Sequence, residues 1–398
     1  MIKKVQANEV RLGMYIHQIR GNWMEHPFWR KSFKLIQQKD LDKLVSCNLE
    51  EIWIDTSKGL DVVKTIQVKN LDGVDSDILP QSIKKPVARV SVEEELHVAK
   101  IIQNKAKEAV AAMFDDVRMG KALEIEEAKS LVNEINQSME RNPNALLTLI
   151  RLKNVNEYTY MHSVAVCVLM VALGRHLGLS EVQIKQAGTA GLLHDIGKMM
   201  IPNEVLNKPG KLTDEEFTIM KSHPVRGWEI LKSCYQVHET ALDVCLHHHE
   251  RVDGKGYPEK LSGDALTLFA RMGAVCDVYD AISSDRCYKA AWSPAESIRK
   301  MASWKDGHFD ESIFQAFVKT VGIYPSGTLL KLQSGRLGVV IEQSTKKLTT
   351  PIVKIFFSTR ANAHIPAEII DISKGMDSIE SLEDPAKWGF DLNKIQGI

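Results

Sequence analysis

The sequence predicts a mainly α protein: an all-helical domain at its centre, a small α+β module ahead of it, and a short β-rich extension behind it. Three observations carry that expectation. Apolar residues recur at helical spacing between residues 92 and 139, helix-start signals punctuate residues 144–322, and residues 327–372 revert to short alternating or apolar runs. The 398 residues then divide into 1–75, 76–143, 144–322 and 323–398.

In the first segment, Glu51-Ile52-Trp53-Ile54-Asp55 alternates as a strand, Gly59 breaks the pattern after it, and Lys39 to Cys47 reads as a helix. Trp23, Phe28, Trp29 and Phe33 supply a small core. A Lys/Asp-rich stretch with Pro80 and Pro86 follows as a linker. Beyond it, Leu96, Ala99, Ala106, Val110 and Met113 form one stripe, and Ile125, Ala128, Val132, Ile135 and Met139 another. Two readings fit these stripes: helices packed on their own domain, or a homodimer coiled through residues 92–139 with Gln103 at a seam position.

The central segment carries two capping boxes, Ser180 with Gln183 and Thr213 with Glu216, in which side chain and backbone satisfy each other's unpaired donors. Gly178 sits where a helix ends just before the first box. One helix is therefore expected through His162, a second from Ser180 carrying His194, and a third from Thr213 carrying His223, with Pro224 opening the next. In the last segment, Leu337–Ile341 and Ile352–Phe357 read as strands, with Gly335 and Gly338 as breakers.

Composition narrows the function classes. Hydrophobic residues make up 44% and charged residues 26%, which suits a globular protein with a substantial core. Lys+Arg and Asp+Glu balance at 51 each, so net charge points neither to duplex nucleic acid nor to an anionic membrane. The apolar run from Ser163 to Gly174 is too short to span a bilayer, and the first residues lack the apolar core of a signal peptide. Six scattered cysteines without a CxxC pair suggest reduced thiols, and the expected compartment is the cytoplasm.

The chemistry is concentrated in His162, His194-Asp195, His223, His247-His248-His249 and Asp277. A single helical histidine is an ordinary residue; several on successive helices near their ends are not. Adjacent helical residues point about 100° apart, so His194 and Asp195 can address one pair of metals from a single turn. Imidazole and carboxylate donors together suit iron, manganese, nickel or zinc rather than magnesium or calcium. Lys198, three residues beyond Asp195 and expected on its helix face, is a candidate phosphate contact. Gly254, Gly256 and Pro258 force the chain after His249 out of helix into a loop, with Tyr257 within it. Asp277 and Asp280 share a helix face, and Arg286 and Lys289 follow as candidate phosphate-binding cations. No P-loop signature competes.

These stretches closely resemble the HD-GYP family of metal-dependent phosphohydrolases: His162-Ser163, Leu193 to Lys198, Ile201-Pro202 to Thr213, Lys221 to Pro224, His248 to Pro258, Ala270-Arg271 to Ala281, and Ser284 to Lys289. The first 60 residues resemble a module of uncharacterised function often found ahead of such domains. The resemblance implies an all-α phosphodiesterase that linearises cyclic di-GMP, or alternatively 3',3'-cyclic GMP-AMP, using two divalent transition metals, iron or manganese. It assigns His162, His194, Asp195 and Asp277 to one side of the metal centre. His223, His248 and His249 take the other, and Asp195 bridges. Lys198, Asp280, Arg286 and Lys289 would meet the substrate, and a water whose pKa the metals lower would attack phosphorus in line. The Gly254–Pro258 loop would shape the site and contact GGDEF-type cyclases, which leaves a weakly active regulatory module as a second reading. Members with a third metal carry Glu four residues before the first His; here Tyr158 stands there, so two metals are expected. His247 has no family role and is expected to be a packing neighbour.

Overall fold

The computed structural model describes residues 2–5, 10, 13–20, 32–37, 40–41, 44, 51–59, 89–150, 158–284, 291–304, 307–344, 347–392 and 395. Two compact units divide the chain, residues 1–83 and 84–398. Trp23, Phe28, Trp29, most of the helix expected from Lys39 to Cys47, and both Arg286 and Lys289 lie outside the described residues.

The first unit is a four-stranded antiparallel sheet of β1 (Ile2–Val5), β2 (Tyr15–Arg20), β3 (Phe33–Lys34) and β4 (Glu51–Asp55), in the order β1-β4-β2-β3. The alternation in β4 does what its period of two requires: Ile52 and Ile54 are buried against Val5, Ile16 and Leu35, while Trp53 is half-buried on the other face.

The second unit opens with α1 (Val92–Arg118), α2 (Ile125–Arg141) and α3 (Pro143–Leu149). Both apolar stripes are filled from within the chain, since they join one core with the central helices. The packed-helix reading of residues 92–139 therefore describes these faces. Gln103 is not a seam residue; its amide donates to the carbonyl of Leu149 at 2.9 Å. A buried Glu95 accepts from Ser138 at 2.7 Å and from two nitrogens of Arg141 at 2.7 and 2.8 Å, joining α1 to α2. Removing one partner from such a pair costs about 3–5 kcal/mol, because a charge is left buried alone.

The central helices follow as α4 (Tyr158–His176), α5 (Glu181–Leu193), a 3₁₀ turn (Ile196–Met200), α6 (Asn203–Leu206), α7 (Asp214–Met220), α8 (His223–Ser233), α9 (Glu239–His247), α10 (Leu268–Ser283), α11 (Pro294–Ser303) and α12 (Glu311–Val321). Both capping boxes form, with Gly178 at φ 70° ahead of the first. α4 and α5 are the inner pair: Val164 to Leu173 of α4 is buried throughout, which its unbroken apolar run requires.

One expected boundary is corrected. The Thr213 helix stops at Met220, and His223 is the first residue of a new helix. Proline at 224 explains the break, because it has no N–H to give the carbonyl four residues back, that of Met220.

The C-terminal strands β5 (Leu329–Leu332), β6 (Arg336–Glu342), β7 (Ile352–Ser358), β8 (Ala363–Asp371) and β9 (Ile379–Leu382) form an antiparallel sheet in the order β8-β7-β6-β5-β9. Gly335 turns the chain as expected, but Gly338 lies inside β6, at a register shift against β7. No helix among the described residues is long and apolar enough to cross a membrane.

Candidate metal centre

Three of the histidines stand at helix ends, and the ends explain their orientation. The last carbonyls of a helix lack intrahelical partners. Nδ1 of His194, just past α5, donates to the Gly191 carbonyl at 2.8 Å. Nδ1 of His223 donates at 2.8 Å to the Met220 carbonyl, the one that Pro224 leaves unpaired. Nδ1 of His248, just past α9, lies 3.0 Å from the carbonyls of both Val244 and Cys245. A carbonyl only accepts, so each Nδ1 carries the proton and each Nε2 is left with a lone pair turned inward.

The inward ring nitrogens, with that of His162, converge on Asp195. Its Oδ1 faces Nε2 of His223 at 3.2 Å and of His248 at 3.7 Å, while its Oδ2 faces Nε2 of His194 at 3.2 Å and of His162 at 3.4 Å. Asp277 closes the second set, 3.0 Å from Nε2 of His162. Among the described residues three ligand groups result, His162 with His194 and Asp277, His223 with His248 and His249, and His194 with Asp195 and His248, the last joining the first two, and Asp195 presents one oxygen toward each of those.

Burial makes this arrangement costly unless a cation joins it. His194 and Asp195 are 0% exposed, yet neither Nε2 of His194 nor Oδ1 of Asp195 has a hydrogen-bond partner among the described residues. Asp195 and Asp277 stay well below the usual carboxylate range: burial alone would raise them, but the surrounding imidazoles, and for Asp195 also Lys198, outweigh it. For His162, burial disfavours charge, yet hydrogen bonds to Asp195, Asp277 and Asp280 prevail and raise it to about 10. Three carboxylates around one buried imidazole are a surplus of negative charge that a cation would neutralise. On the other side, burial pushes His248 well down and His249 to about 3, so both are neutral donors near pH 7. The donor set fits a transition metal.

The remaining expected residues divide. Lys198 does lie beside Asp195, its Nζ 2.5 Å from Oδ2, but not on a shared α-helical face. The helix has ended, and the 3₁₀ turn brings residues three apart into register. With a fifth of its side chain exposed, Lys198 sits at the rim. His249 is also partly open; its ring stacks on Tyr257 with centroids 4.7 Å apart. Asp280, expected at the substrate, is buried behind His162 and accepts a hydrogen bond from its Nδ1 at 2.7 Å. Asp280→Asn should therefore weaken metal binding or turnover by about 10- to 100-fold, the usual cost of losing a partner that orients a ligand. Metal titration with steady-state kinetics checks it, and unaltered metal affinity together with unaltered turnover would refute the role.

His247 points elsewhere, as expected of a packing neighbour: it bridges Asp243 at 2.8 Å and Glu259 at 3.1 Å. Glu250 is a residue to which the sequence reading gave no role. Buried, it accepts the backbone N–H groups of Glu259 at 2.6 Å and Lys260 at 2.8 Å, tying the loop back beneath His249. The signal was an acidic residue at the mouth of a glycine-rich turn, where unpaired N–H groups are expected. Gly256 runs so close to it that an added Cβ would lie 2.4 Å from Cα of Glu250.

Comparison with known proteins places the chain in a family. A model described as "HD domain" matches residues 149–313, and one described as "Domain of unknown function (DUF3391)" matches residues 2–128. The chain is 50% identical over 395 residues to the protein named "Cyclic di-GMP phosphodiesterase PA4108" of Pseudomonas aeruginosa, covering 98% of this chain and 94% of that one. The chain belongs to the HD-GYP family. Other relatives match less than half of this chain. The "Cyclic di-GMP phosphodiesterase response regulator RpfG" of Xanthomonas campestris is 35% identical over 189 residues, 47% of this chain and 50% of that protein. The "3'3'-cGAMP-specific phosphodiesterase 2" of Vibrio cholerae is 34% identical over 162 residues, 40% and 31% of the two chains.

Proposed function

We propose that this chain is a cyclic di-GMP phosphodiesterase that opens the cyclic dinucleotide to its linear form, to GMP, or to both. The observation that carries the reading is the buried Asp195 carboxylate, with one oxygen toward each of two ligand clusters. The near full-length relative of that name supports the substrate. A second reading, 3',3'-cyclic GMP-AMP, has the support of the shorter Vibrio match.

His162, His194 and Asp277 would hold one metal, His223, His248 and His249 the other, and Asp195 both. Two is the proposed number, because Tyr158 puts a weak ligand type where a third site would need a carboxylate. Iron or manganese suits the mixed donors, and the cytoplasm suits both the free thiols and a second-messenger substrate. When bound, the pair supplies water acidified enough to act as a nucleophile at neutral pH, and positive charge for the phosphodiester.

The chain's own groups do the rest. The backbone carbonyls of Gly191, Met220 and Val244 fix the imidazole tautomers, so no reorganisation is needed when ligands bind. Lys198 at the rim can donate to a phosphoryl oxygen as negative charge builds there. Arg286 and Lys289 are proposed to take the flanking phosphate. Exposed Lys255, Glu259 and Lys260 leave the Gly254–Pro258 loop a charged surface for a GGDEF-type partner. A homodimer through residues 92–139 would have to use the exposed Val98 and Ile101, since the stripes are already packed.

Anaerobic purification, metal analysis and a panel of cyclic dinucleotides test the reading. Expected are two metals per chain and preferential turnover of cyclic di-GMP. A fully metal-loaded chain that cleaves bis(p-nitrophenyl) phosphate but no cyclic dinucleotide would overturn it.

A further inference from the structure

The turn that carries Lys198 is braced by a helix outside the HD match. α1 packs along both the 3₁₀ turn and α4. Val110, Met113, Phe114 and Val117 of α1 share one buried core with Ile196 and Met199, the residues on either side of Gly197 and Lys198. Phe114, fully buried, meets the ring of Tyr160 edge-on, centroids 5.8 Å apart at 73°. Tyr160 precedes His162 by two residues, and two helical positions diverge by about 200°. The Phe114 ring thus backs the first turn of α4 from the side away from the metal ligands. α1 lies within the match to the domain of unknown function, residues 2–128, and ahead of the HD match at 149.

We propose that Phe114 is a positioning residue of the metal centre: set edge-on against Tyr160 in the first turn of α4, on a helix that also packs along the Ile196–Met200 turn, it holds His162 and Asp195 at the spacing that lets them grip one ion. That spacing is 3.4 Å between Nε2 of His162 and Oδ2 of Asp195. A close-packed interior transmits the loss of one large ring to its neighbours as displacement. The activity arm of the test rests on the proposed function; the metal arm does not.

The full-length chain carrying Phe114→Ala is compared with Phe114→Leu and with Ile135→Ala, an equally buried site on α2 in the same core. Phe114→Ala should lower kcat per metal-loaded, folded chain by about 30- to 100-fold, as a 1 Å misplacement does, with KM within about threefold. It should also speed loss of metal to a chelator by about tenfold. Phe114→Leu, which keeps most of the volume, should recover most of both. Ile135→Ala should lose thermal stability while keeping kcat and metal retention within about twofold of the parent chain. If Phe114→Ala behaves like Ile135→Ala, the positioning role is overturned. If it does not fold, Phe114→Val, which also removes the ring but less of the volume, decides: faster metal release supports the role, and the parent rate sinks it. If the parent chain turns over no cyclic dinucleotide, the functional reading has failed, and metal release still decides the role of Phe114.

Discussion

Asp195→Asn should reduce turnover of cyclic di-GMP by about 1000-fold or more, roughly 4 kcal/mol of transition-state stabilisation, while the far-UV circular dichroism stays that of the parent. The substitution keeps the shape of the side chain and removes its charge. An amide still offers one oxygen, so one cluster can keep an approximate ligand, but no neutral amide supplies an anionic oxygen to both. The loss should appear in kcat and in metal stoichiometry together. His194→Ala should act in the same direction, because it removes one of the lone pairs that face Oδ2. Neither change touches the apolar packing of α4 and α5, which is what holds the helices. Steady-state kinetics on protein of measured metal content checks the expectation. An Asp195→Asn chain that hydrolyses the substrate at near the parent rate would remove Asp195 from the centre.

The candidate ligands were legible because their signals are local. Histidine next to aspartate at the end of a capped helix, and three consecutive histidines before a glycine-rich loop, need no tertiary knowledge to notice. Ser180 and Thr213 fixed two helix starts for the same reason, since a capping box is closed within four residues. The break at Pro224 was readable too, although the sequence reading left His223 on the helix before it. Pro224 frees the carbonyl four residues back, and a histidine beside it has an acceptor within reach. The bond from His162 to Asp280 was not legible because it spans 118 residues; sharing a helix face with Asp277 said nothing about which face of His162 each would meet. The apolar stripes of α1 and α2 had the same gap. Periodicity identified a buried face without naming its partner, and the partner proved to be the catalytic core itself. Gln103 looked like a polar interruption until the Leu149 carbonyl accounted for it.

Gly197→Ala should cost about 100-fold in turnover, since ligands held by two backbones lose alignment when those backbones part. Its added Cβ would lie 2.0 Å from the carbonyl oxygen of His223 and 2.4 Å from the backbone nitrogen of Gly227. Contacts under 3.0 Å are essentially never tolerated, and neither neighbour is a side chain that can swing aside. The 3₁₀ turn and α8 must therefore separate by about 1 Å, which carries Asp195 away from His223. Their present separation is 3.2 Å, so the shift removes His223 from any ion that Asp195 still holds. Overpacking of this kind also destabilises by about 1–3 kcal/mol. Gly178→Ala is the control. Its φ of 70° makes any side chain strained, yet nothing lies within 4 Å of the new Cβ. It should lose about 1–2 kcal/mol of stability from backbone strain alone and leave turnover of the folded protein unchanged. Thermal melts beside kinetics separate the two outcomes: comparable melting losses with activity lost only at position 197 support the close approach, and full activity in Gly197→Ala would show that the turn and α8 can part without disturbing the metal centre.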